Sequence, residues 1–422
     1  MLINILFRRV IREGSLTVID STGRAETFGQ GEPRVTLRLR DKATERRLLM
    51  NPKLCLGEAY MDERLEIESG TLYDLLRIGA RNMAHLEGLR AQRTFETLER
   101  WMRPLRAFNP MARAQRNVAH HYDLSGELYD HFLDWDRQYS CAYFTSPNET
   151  LEVAQENKKR HLAAKLCLHE SGLEVLDIGS GWGGLGLYLA QEAGANVTGI
   201  TLSEEQIKVS RQRARKANLD ETVQFRLDDY RNLRGRYDRI VSVGMFEHVG
   251  PAHYREFFER IRDLLTEDGV ALVHSIGRMA PPGGTNPWLR KYIFPGGYIP
   301  ALSEVLYEVE HTGLWVTDIE ILRLHYAQTL RQWRERFQRN RERVKQLYDE
   351  RFCRMWEFYL AGCEVSFRDM GQMVFQIQLA RQRDAVPLTR DYITDWGRAA
   401  WPIPDTAAAP ARVTEAAQEA AE

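Results

Sequence analysis

The sequence predicts an α/β fold, in which a smaller α+β domain precedes a doubly wound, mostly parallel sheet. In the larger, C-terminal part of the chain, short apolar runs alternate with amphipathic segments, as expected for parallel strands joined by crossover helices. A glycine-rich turn follows the first of these runs, at the position where sheets of this class bind ligands. The first 86 residues lack this succession and mix alternating runs with helical stretches.

The composition is that of a globular protein. The chain has 422 residues, 43% hydrophobic and 28% charged, and its net charge is −1, which argues against a general nucleic-acid-binding protein. The five cysteines are widely spaced without a CxxC pair, which predicts reduced thiols in the cytoplasm and no metal site. No apolar run reaches the ~18 residues that a membrane-spanning helix needs.

The N-terminal domain is predicted to cover residues 1–86. Its opening sequence, MLINILFRRVIREG, indicates an amphipathic first helix, because it lacks the small-residue cleavage site of a signal peptide. Strand-like alternation covers Ser15–Ile19 and Arg34–Leu39, and the turn-rich segment Ser21–Pro33 separates these two runs. Thr71–Met83 has helical spacing.

Three further regions follow. Residues 87–118 form a basic connector, in which seven Arg and two Glu between Arg90 and Arg116 are interleaved with aromatic and aliphatic side chains. The main domain spans 119–400. The tail, 401–422, is rich in Ala, Pro and Glu and is predicted to be disordered.

The main domain supplies the strands and helices of the predicted sheet. The predicted strands are Leu173–Gly179, Ala195–Ile200, Val223–Leu227, Tyr237–Gly244 and Val270–Ile276, and the predicted helices are Gly184–Glu192, Glu204–Ala217 and Ala252–Leu265. Because ligands bind beyond the carboxyl ends of such strands, the residues that follow each strand are the candidate site.

The first strand ends in the glycine loop DIGSGWGG. Gly179, Gly181 and Gly183 permit positive φ and let a ligand approach the backbone, but their spacing differs from the dinucleotide pattern G-x-G-x-x-G. Asp177 would repel a phosphate and suits the ammonium of a methionine group, and Trp182 adds bulk to the loop. The structural alternative is a simple tight turn, with Asp177 hydrogen-bonded to the loop backbone.

The next two strand ends are polar. Thr201, Leu202 and Gln206 stand where nucleotide-binding sheets hold ribose hydroxyls, although the S-x-x-Q pattern from Ser203 is also a helix capping box. The third strand ends in DDY, where Asp229 is a candidate acceptor for an adenine amino group.

Several longer segments resemble the cyclopropane-fatty-acyl-phospholipid synthase and mycolic acid cyclopropane synthase family. They are YSCAYF (Tyr139–Phe144), LDIGSGWGG (Leu176–Gly184), GITLSEEQ (Gly199–Gln206), GMFEHVGPAHYREFF (Gly244–Phe258), HSIG (His274–Gly277), LHYAQTLRQW (Leu324–Trp333) and YLAGCEVSFR (Tyr359–Arg368). The resemblance covers about 117–383 in the order that the family has. GEAYMD (Gly57–Asp62) resembles the end of the N-terminal lipid-binding domain of the bacterial phospholipid synthases.

The resemblance implies an enzyme with a Rossmann-like methyltransferase sheet, S-adenosylmethionine as cofactor, and an unsaturated acyl chain of a membrane phospholipid as substrate. It also implies a homodimer that is cytoplasmic and peripherally associated with the inner face of the cell membrane. The cofactor-binding residues that we expect are Tyr139, Ser140, Asp177, Gly179, Gly181, Trp182, Gly183, Thr201, Leu202, Gln206, Asp229 and Tyr230.

The chemistry implied by the resemblance needs a base. When a cis alkene attacks the sulfonium methyl group, a carbocation remains, and ring closure requires loss of a proton from the transferred methyl. The family resemblance implies that a bound bicarbonate is this base. The residues that would hold it come from a loop before the sheet, two strand ends and a late strand. The residues implied to hold it are Cys141, Glu247, His274, Tyr326 and Ile276, the last through its backbone.

Each of these residues also has a structural alternative. Cys141 is a candidate buried thiol, His274 a candidate core histidine, and Glu247 beside His248 a candidate ion pair. Cys363 is a further candidate, as a nucleophile, but it lies in an apolar helical stretch, which predicts an inert thiol.

Competing functions remain at this point. Quenching the carbocation differently would give a methyl-branched, methylene or hydroxylated chain, and a non-catalytic lipid-binding protein is the alternative of another class. A nucleic-acid or small-molecule methyltransferase has no support beyond the shared sheet. The basic connector is either a dock for an anionic membrane surface or an ordinary linker helix with solvated arginines.

Overall fold

The computed structural model describes residues 2–83 and 126–398. The N-terminal unit is mixed α and β, as predicted, and its first helix is amphipathic. Its elements are α1 (Leu2–Val10), β1 (Glu13–Ile19), β2 (Ala25–Leu39), α2 (Lys42–Met50), α3 (Pro52–Met61), β3 (Leu65–Ser69) and α4 (Leu72–Arg81). The three strands form one sheet in the order β1-β2-β3.

The prediction of a turn-rich segment over Ser21–Pro33 is wrong in extent. The turn is confined to the residues just after β1, where Asp20 Oδ1 accepts hydrogen bonds from the N–H groups of Thr22 (2.9 Å) and Arg24 (3.0 Å). Strand β2 begins at Ala25 because both of its halves pair with β1: Leu16 is in register with Phe28 and with Val35. The glycines and proline that indicated a turn therefore lie within the strand, where it bends.

The second unit holds the predicted doubly wound sheet. Its elements before the late strands are α5 (Gly126–Asp130), α6 (Leu151–Lys165), β4 (Glu174–Ile178), α7 (Gly184–Ala193), β5 (Asn196–Thr201), α8 (Glu204–Lys216), β6 (Val223–Leu227), β7 (Tyr237–Val243), α9 (Tyr254–Leu264) and β8 (Leu265–Arg278). Each strand and helix predicted from the alternation is present.

The remaining elements extend the sheet beyond the prediction. They are α10 (Pro287–Tyr292), α11 (Leu302–Glu310), β9 (Trp315–Leu322), α12 (His325–Arg339), α13 (Arg341–Leu347), α14 (Glu350–Asp369), β10 (Gln372–Ala380) and α15 (Asp391–Arg398). The strand order is β6-β5-β4-β7-β8-β10-β9. Neighbouring strands from β6 to β8 are parallel, and β10 is antiparallel to both of its neighbours, β8 and β9.

The GEAYMD segment lies on α3 and joins the two units. Glu58 is buried, and its Oε1 accepts a hydrogen bond from Lys291 Nζ of α10 at 2.7 Å. Tyr60 Oη donates to Glu357 Oε2 of α14 at 2.8 Å, and Met61 Sδ lies 3.3 Å from the Trp288 indole nitrogen. The N-terminal unit is therefore held against α10 and α14 by side chains that the sequence places in one short motif.

Some predictions fall on parts of the chain that are not described. The basic connector, 87–118, and the tail, 401–422, lie outside the described residues. Across the described ranges, no helix combines the length and the hydropathy of a membrane-crossing segment.

Candidate active site

A cleft opens at the carboxyl ends of β4 to β7, which we call the glycine-loop cleft. Of the twelve residues expected to bind a cofactor, all except Gly183 line it. The lining also includes residues that were not expected, among them Arg137, Gln138, Lys158, Ser180, Asp228, Met245 and His248. The structure thus brings side chains from four strand ends and the loop before α6 to one place.

The glycine loop forms one wall of the cleft. Gly179, Gly181 and Gly183 all have positive φ. A Cβ at Gly181 would meet no atom within 4 Å, so the loop leaves open space there, whereas a Cβ at Gly183 would lie 2.7 Å from Phe225 Cζ. Gly183 therefore serves packing at the start of α7 rather than the wall of the cleft.

Asp177 is placed at the end of β4 and is 2% exposed. Burial raises the pKa of its carboxyl to about 7. Its Oδ2 atom has no hydrogen-bond partner among the described residues, so the alternative in which Asp177 only supports the loop leaves half of the carboxyl unexplained. An unpartnered buried oxygen facing a cleft fits a ligand with a cationic or donor group.

Gln206 does not complete the capping box that its spacing suggests. Ser203 caps α8, and its Oγ accepts a hydrogen bond from Gln206 N at 3.3 Å. The Gln206 side chain instead accepts from Thr201 Oγ1 at 2.7 Å. This side-chain pair is buried on the wall of the cleft, where a ribose would need polar groups.

Asp229 follows β6 and is engaged by a neighbour. Arg231 Nε and Nη2 donate to its two carboxylate oxygens at 2.8 and 2.6 Å. The guanidinium thus occupies part of the acceptor capacity that the sequence assigned to an adenine amino group. Tyr230, beside it, is buried edge-to-face against Phe257.

Tyr139 and Ser140 lie where the cleft meets an aromatic core. The Tyr139 and Tyr359 hydroxyl oxygens are 2.7 Å apart, and the Tyr139 ring packs beside Phe132 and Trp333. Burial raises the pKa of Tyr139 well above its ordinary value, so the phenol is neutral. Ser140 Oγ accepts a hydrogen bond from Lys158 Nζ at 2.8 Å.

Glu247 lies in a short 3-10 turn, Phe246–His248, directly after β7. Its Oε1 accepts a hydrogen bond from the Ile276 N–H of β8 at 2.7 Å, while Oε2 has no partner among the described residues. Burial raises the pKa of the carboxyl to about 7. Burial also lowers the pKa of His248 to about 4, so a Glu247–His248 ion pair has no cation at neutral pH.

His274 points to the same sheet face as Ile276, two residues along β8. Burial lowers its pKa to about 3, so the imidazole is neutral. Gln376 Nε2 donates to His274 Nδ1 at 3.1 Å, which leaves the proton on Nε2 and makes that atom a donor. His274 is thus a satisfied core histidine at one nitrogen and a donor at the other.

Tyr326 lies in the first turn of α12, and the expectation of a late strand is wrong for it. The segment LHYAQTLRQW reads as a helix because its apolar residues repeat at helical spacing, and Tyr326, Leu330 and Trp333 are all buried. Besides burial, Tyr359, Cys141 and Cys363 raise the pKa of the Tyr326 hydroxyl. Glu247 acts on it in the same direction.

The two candidate cysteines, Cys141 and Cys363, are both protonated thiols at neutral pH. Cys141 is 1% exposed, and burial raises its pKa. Cys363 lies in the middle of α14, and burial raises its pKa to about 12. A neutral thiol is a poor nucleophile, so the local environment supports the prediction of an inert Cys363.

The structure therefore groups Cys141, Glu247, Ile276, Tyr326 and Cys363 beside the aromatic core, and we call this set the glutamate cluster. Large, mostly buried rings pack around part of this set. Those rings, on the core that contains Cys141 and Tyr326, include Tyr129, Phe132, Tyr139, Phe294, Trp333, Trp356 and Tyr359.

Two residues in this region were not predicted from the sequence to belong to the site. Tyr359 opens the segment YLAGCEVSFR, so the resemblance offered a signal for it. Lys158 had no such signal, because a lysine in the segment NKKRHLAAK is typical of a solvated helix position. Only the structure shows that its side chain is 1% exposed.

Comparisons with known proteins agree with this geometry. The family model for mycolic acid cyclopropane synthetase matches residues 110–377, and a domain of unknown function matches residues 6–86. The cyclopropane-fatty-acyl-phospholipid synthase of Escherichia coli K12 is 35% identical, over 83% of this chain and 89% of that protein. Tuberculostearic acid methyltransferase UfaA1 of Mycobacterium tuberculosis is 36% identical, over 90% and 91%.

Solved structures give the same picture. The mycolic acid cyclopropane synthase CmaA1, in a crystal structure with S-adenosylhomocysteine (SAH) and CTAB, is 32% identical with a TM-score of 0.60. The match covers 64% of this chain and 99% of that one. The described fold is thus shared over nearly the whole length of that structure.

Proposed function

The chain belongs to the mycolic acid cyclopropane synthetase family and is an S-adenosylmethionine-dependent methyltransferase, and from this we propose its specific reaction. It transfers a methylene group to the cis double bond of an unsaturated acyl chain in a membrane phospholipid. The product is a cyclopropane ring, formed through a carbocation. The E. coli relative, which is named for this reaction, supports the phospholipid substrate.

The glycine-loop cleft fits the cofactor. When bound, S-adenosylmethionine supplies an electrophilic sulfonium methyl group. The unpartnered Oδ2 of buried Asp177 suits its ammonium, the Thr201–Gln206 pair suits ribose hydroxyls, and the space at Gly181 admits a ligand against the backbone. Tyr139, at the far wall, joins the cleft to the aromatic core.

The glutamate cluster fits a small polar anion such as bicarbonate. When bound, bicarbonate supplies a base for a proton of the transferred methyl group. Glu247, with a pKa of about 7, is half protonated near neutral pH and offers an O–H donor, while Tyr326 and Cys141 offer further donors. His274 lies outside the cluster as defined, two residues before Ile276 on the same face of β8, and is a further candidate donor. Ile276 acts through its N–H, which orients Glu247.

One observation carries the proposal: the buried carboxyl of Glu247 has one oxygen without a partner among the described residues and acts on Tyr326, which belongs to a buried aromatic core. A carbocation in such a core is protected from water, and a titratable group nearby is placed to direct loss of a proton. Ring closure needs these two features together.

The test is mass spectrometry of phospholipids from cells that express the chain. We expect acyl chains that gain one CH2 and take up no hydrogen on catalytic hydrogenation, as a ring requires. A matched culture expressing Glu247→Gln should lack the gain. A product that takes up hydrogen would instead identify a methylene chain.

The second candidate is a methyl-branched product. The relative named tuberculostearic acid methyltransferase UfaA1 favours it, since its identity to this chain is as high as that of the E. coli synthase. A saturated, branched acyl chain in the same experiment would establish this alternative and exclude the ring.

We also propose that the basic connector, 87–118, docks the enzyme on an anionic membrane surface, and that the enzyme acts there as a homodimer. Each Arg near such a surface contributes ~1 kcal/mol. Replacing Arg100, Arg103 and Arg106 by Glu should abolish binding to vesicles that contain anionic lipid. Unchanged binding would identify the connector as an ordinary linker.

A further inference from the structure

Three lysines on α6 are buried, and they differ in whether they form ion pairs with carboxylates. Lys159 is paired with Asp136 (3.0 Å) and Glu156 (2.9 Å), and Lys165 is paired with Asp318 (3.0 Å) and Glu320 (2.6 Å). Lys158 has no ion pair with a carboxylate among the described residues. Its Nζ donates to two neutral oxygens, Gln138 Oε1 at 2.5 Å and Ser140 Oγ at 2.8 Å.

The carboxylates nearest to Lys158 are already used. Asp136 is engaged by Lys159 and by Arg213. Asp134 accepts hydrogen bonds from the N–H groups of Asp136 (3.0 Å) and Gln138 (2.9 Å). Burial lowers the pKa of the Lys158 ammonium to about 8, while the charge of Asp134 acts against this shift. The ammonium therefore still carries its charge at neutral pH, and among the described residues no carboxylate forms an ion pair with it.

That charge faces the glycine-loop cleft, which Lys158 and Asp177 both line. The two side chains are close enough for the ammonium to act electrostatically on the Asp177 carboxyl. A cleft floor with one buried cation and one buried, half-unpartnered carboxyl is complementary to a zwitterion. The methionine end of S-adenosylmethionine is such a zwitterion, with an α-ammonium and an α-carboxylate.

We propose that Lys158 supplies the positive charge that binds the α-carboxylate of the cofactor, opposite Asp177, which binds the α-ammonium. The Ser140 hydroxyl, held by Lys158, lies beside the same group. This inference rests on the proposed assignment of the glycine-loop cleft to the cofactor. It makes Lys158 a binding residue, with no part in proton transfer.

The test compares three ligands by calorimetry: SAH, its decarboxylated analogue and 5′-methylthioadenosine. For the wild type, we expect the decarboxylated analogue to bind about 10- to 100-fold more weakly than SAH. Lys158→Met should weaken SAH by a similar factor and leave the decarboxylated analogue within about 3-fold. In the variant, the two ligands then bind nearly alike.

The matched control is Lys165→Met, which removes another buried lysine from the same helix but one that faces Asp318 and Glu320. It should lower the melting temperature and keep the wild-type ratio between the two ligands. If Lys158→Met does not fold, Lys158→Gln, which keeps a donor for Gln138 and Ser140, takes its place.

The outcomes are distinct. A wild type that binds neither SAH nor methylthioadenosine overturns the assignment of the cleft. A wild type that binds SAH and its decarboxylated analogue equally overturns the role of Lys158 alone. A Lys158 variant that weakens all three ligands by one common factor identifies a purely structural lysine and also overturns the proposal.

Discussion

Asp229 and Glu247 both follow a strand at the same edge of the sheet, yet their carboxyl groups are held in opposite ways. Asp229, in the glycine-loop cleft, has both oxygens paired with one guanidinium. Glu247, in the glutamate cluster, has one backbone N–H on one oxygen and no partner among the described residues on the other, and its pKa is about 7. The charge of Asp229 is therefore balanced by a fixed cation, whereas Glu247 keeps a carboxyl that can change protonation near neutral pH.

The largest effect should come from removing that titratable group. In Glu247→Gln the Ile276 N–H keeps an acceptor, but the group that exchanges a proton is gone. We expect the rate of lipid modification to fall about 10²- to 10⁴-fold, measured by product formation at saturating cofactor. Affinity for SAH should stay within about 3-fold. A large loss of affinity would show that the glutamate cluster also contributes to cofactor binding.

A second effect should appear in how the free energy of unfolding depends on pH. The Glu247 carboxyl binds its proton more tightly in the folded state, with a pKa of about 7, than at its ordinary value of 4.5. The free energy of unfolding should therefore fall as pH rises from 4.5 to 7, by on the order of 3 kcal/mol from this group.

Urea denaturation at about pH 5 and about pH 8 measures this change. Glu247→Gln should show a smaller fall in stability than the wild type, because it lacks the titrating group. Equal falls in the two proteins would mean that Glu247 ionises normally in the folded chain, and the contrast with Asp229 would be lost.

A smaller effect should appear on the cleft side. Thr201→Val removes the hydrogen bond to Gln206 Oε1, together with the longer one that Thr201 Oγ1 accepts from Ser203 N. Loss of the first should weaken SAH binding about 5-fold, since a net hydrogen bond is worth about 1 kcal/mol. Ser203→Ala, which removes only the cap of α8, is the matched control: it should lower the melting temperature with little change in affinity. Equal affinities for the two variants would contradict a binding role for the pair.

The smallest effect is expected at Cys363. Burial holds the pKa of its thiol near 12, and the side chain packs against the aromatic core that contains Tyr326. Cys363→Ser should therefore keep activity within about 3-fold in the lipid assay. A loss as large as that of Glu247→Gln would show that the cluster works through a thiolate.

Local pattern predicted most of the sheet. Strands β4, β5 and β7 are short and mostly buried apolar runs, and the helices between the strands have clear spacing, so neighbouring residues alone indicate these elements. The extent of β2 was less predictable, since glycines and a proline indicate a turn unless pairing with β1 on both sides overrides them. The start of α12, which carries Tyr326, has no side-chain cap, so only the spacing of its apolar residues indicates the helix.

By itself, the sequence determined the sheet, the glycine loop and the family, because contiguous residues specify each of these features. Only the tertiary structure decided the protonation and pairing of the site. Lys158 looks like an ordinary solvated position along the chain, and although the sequence singles out Asp177 and Glu247, only their burial by distant segments raises their pKa values. Burial removes water from a charged group, and whether a partner replaces that water depends on contacts between segments far apart in the sequence.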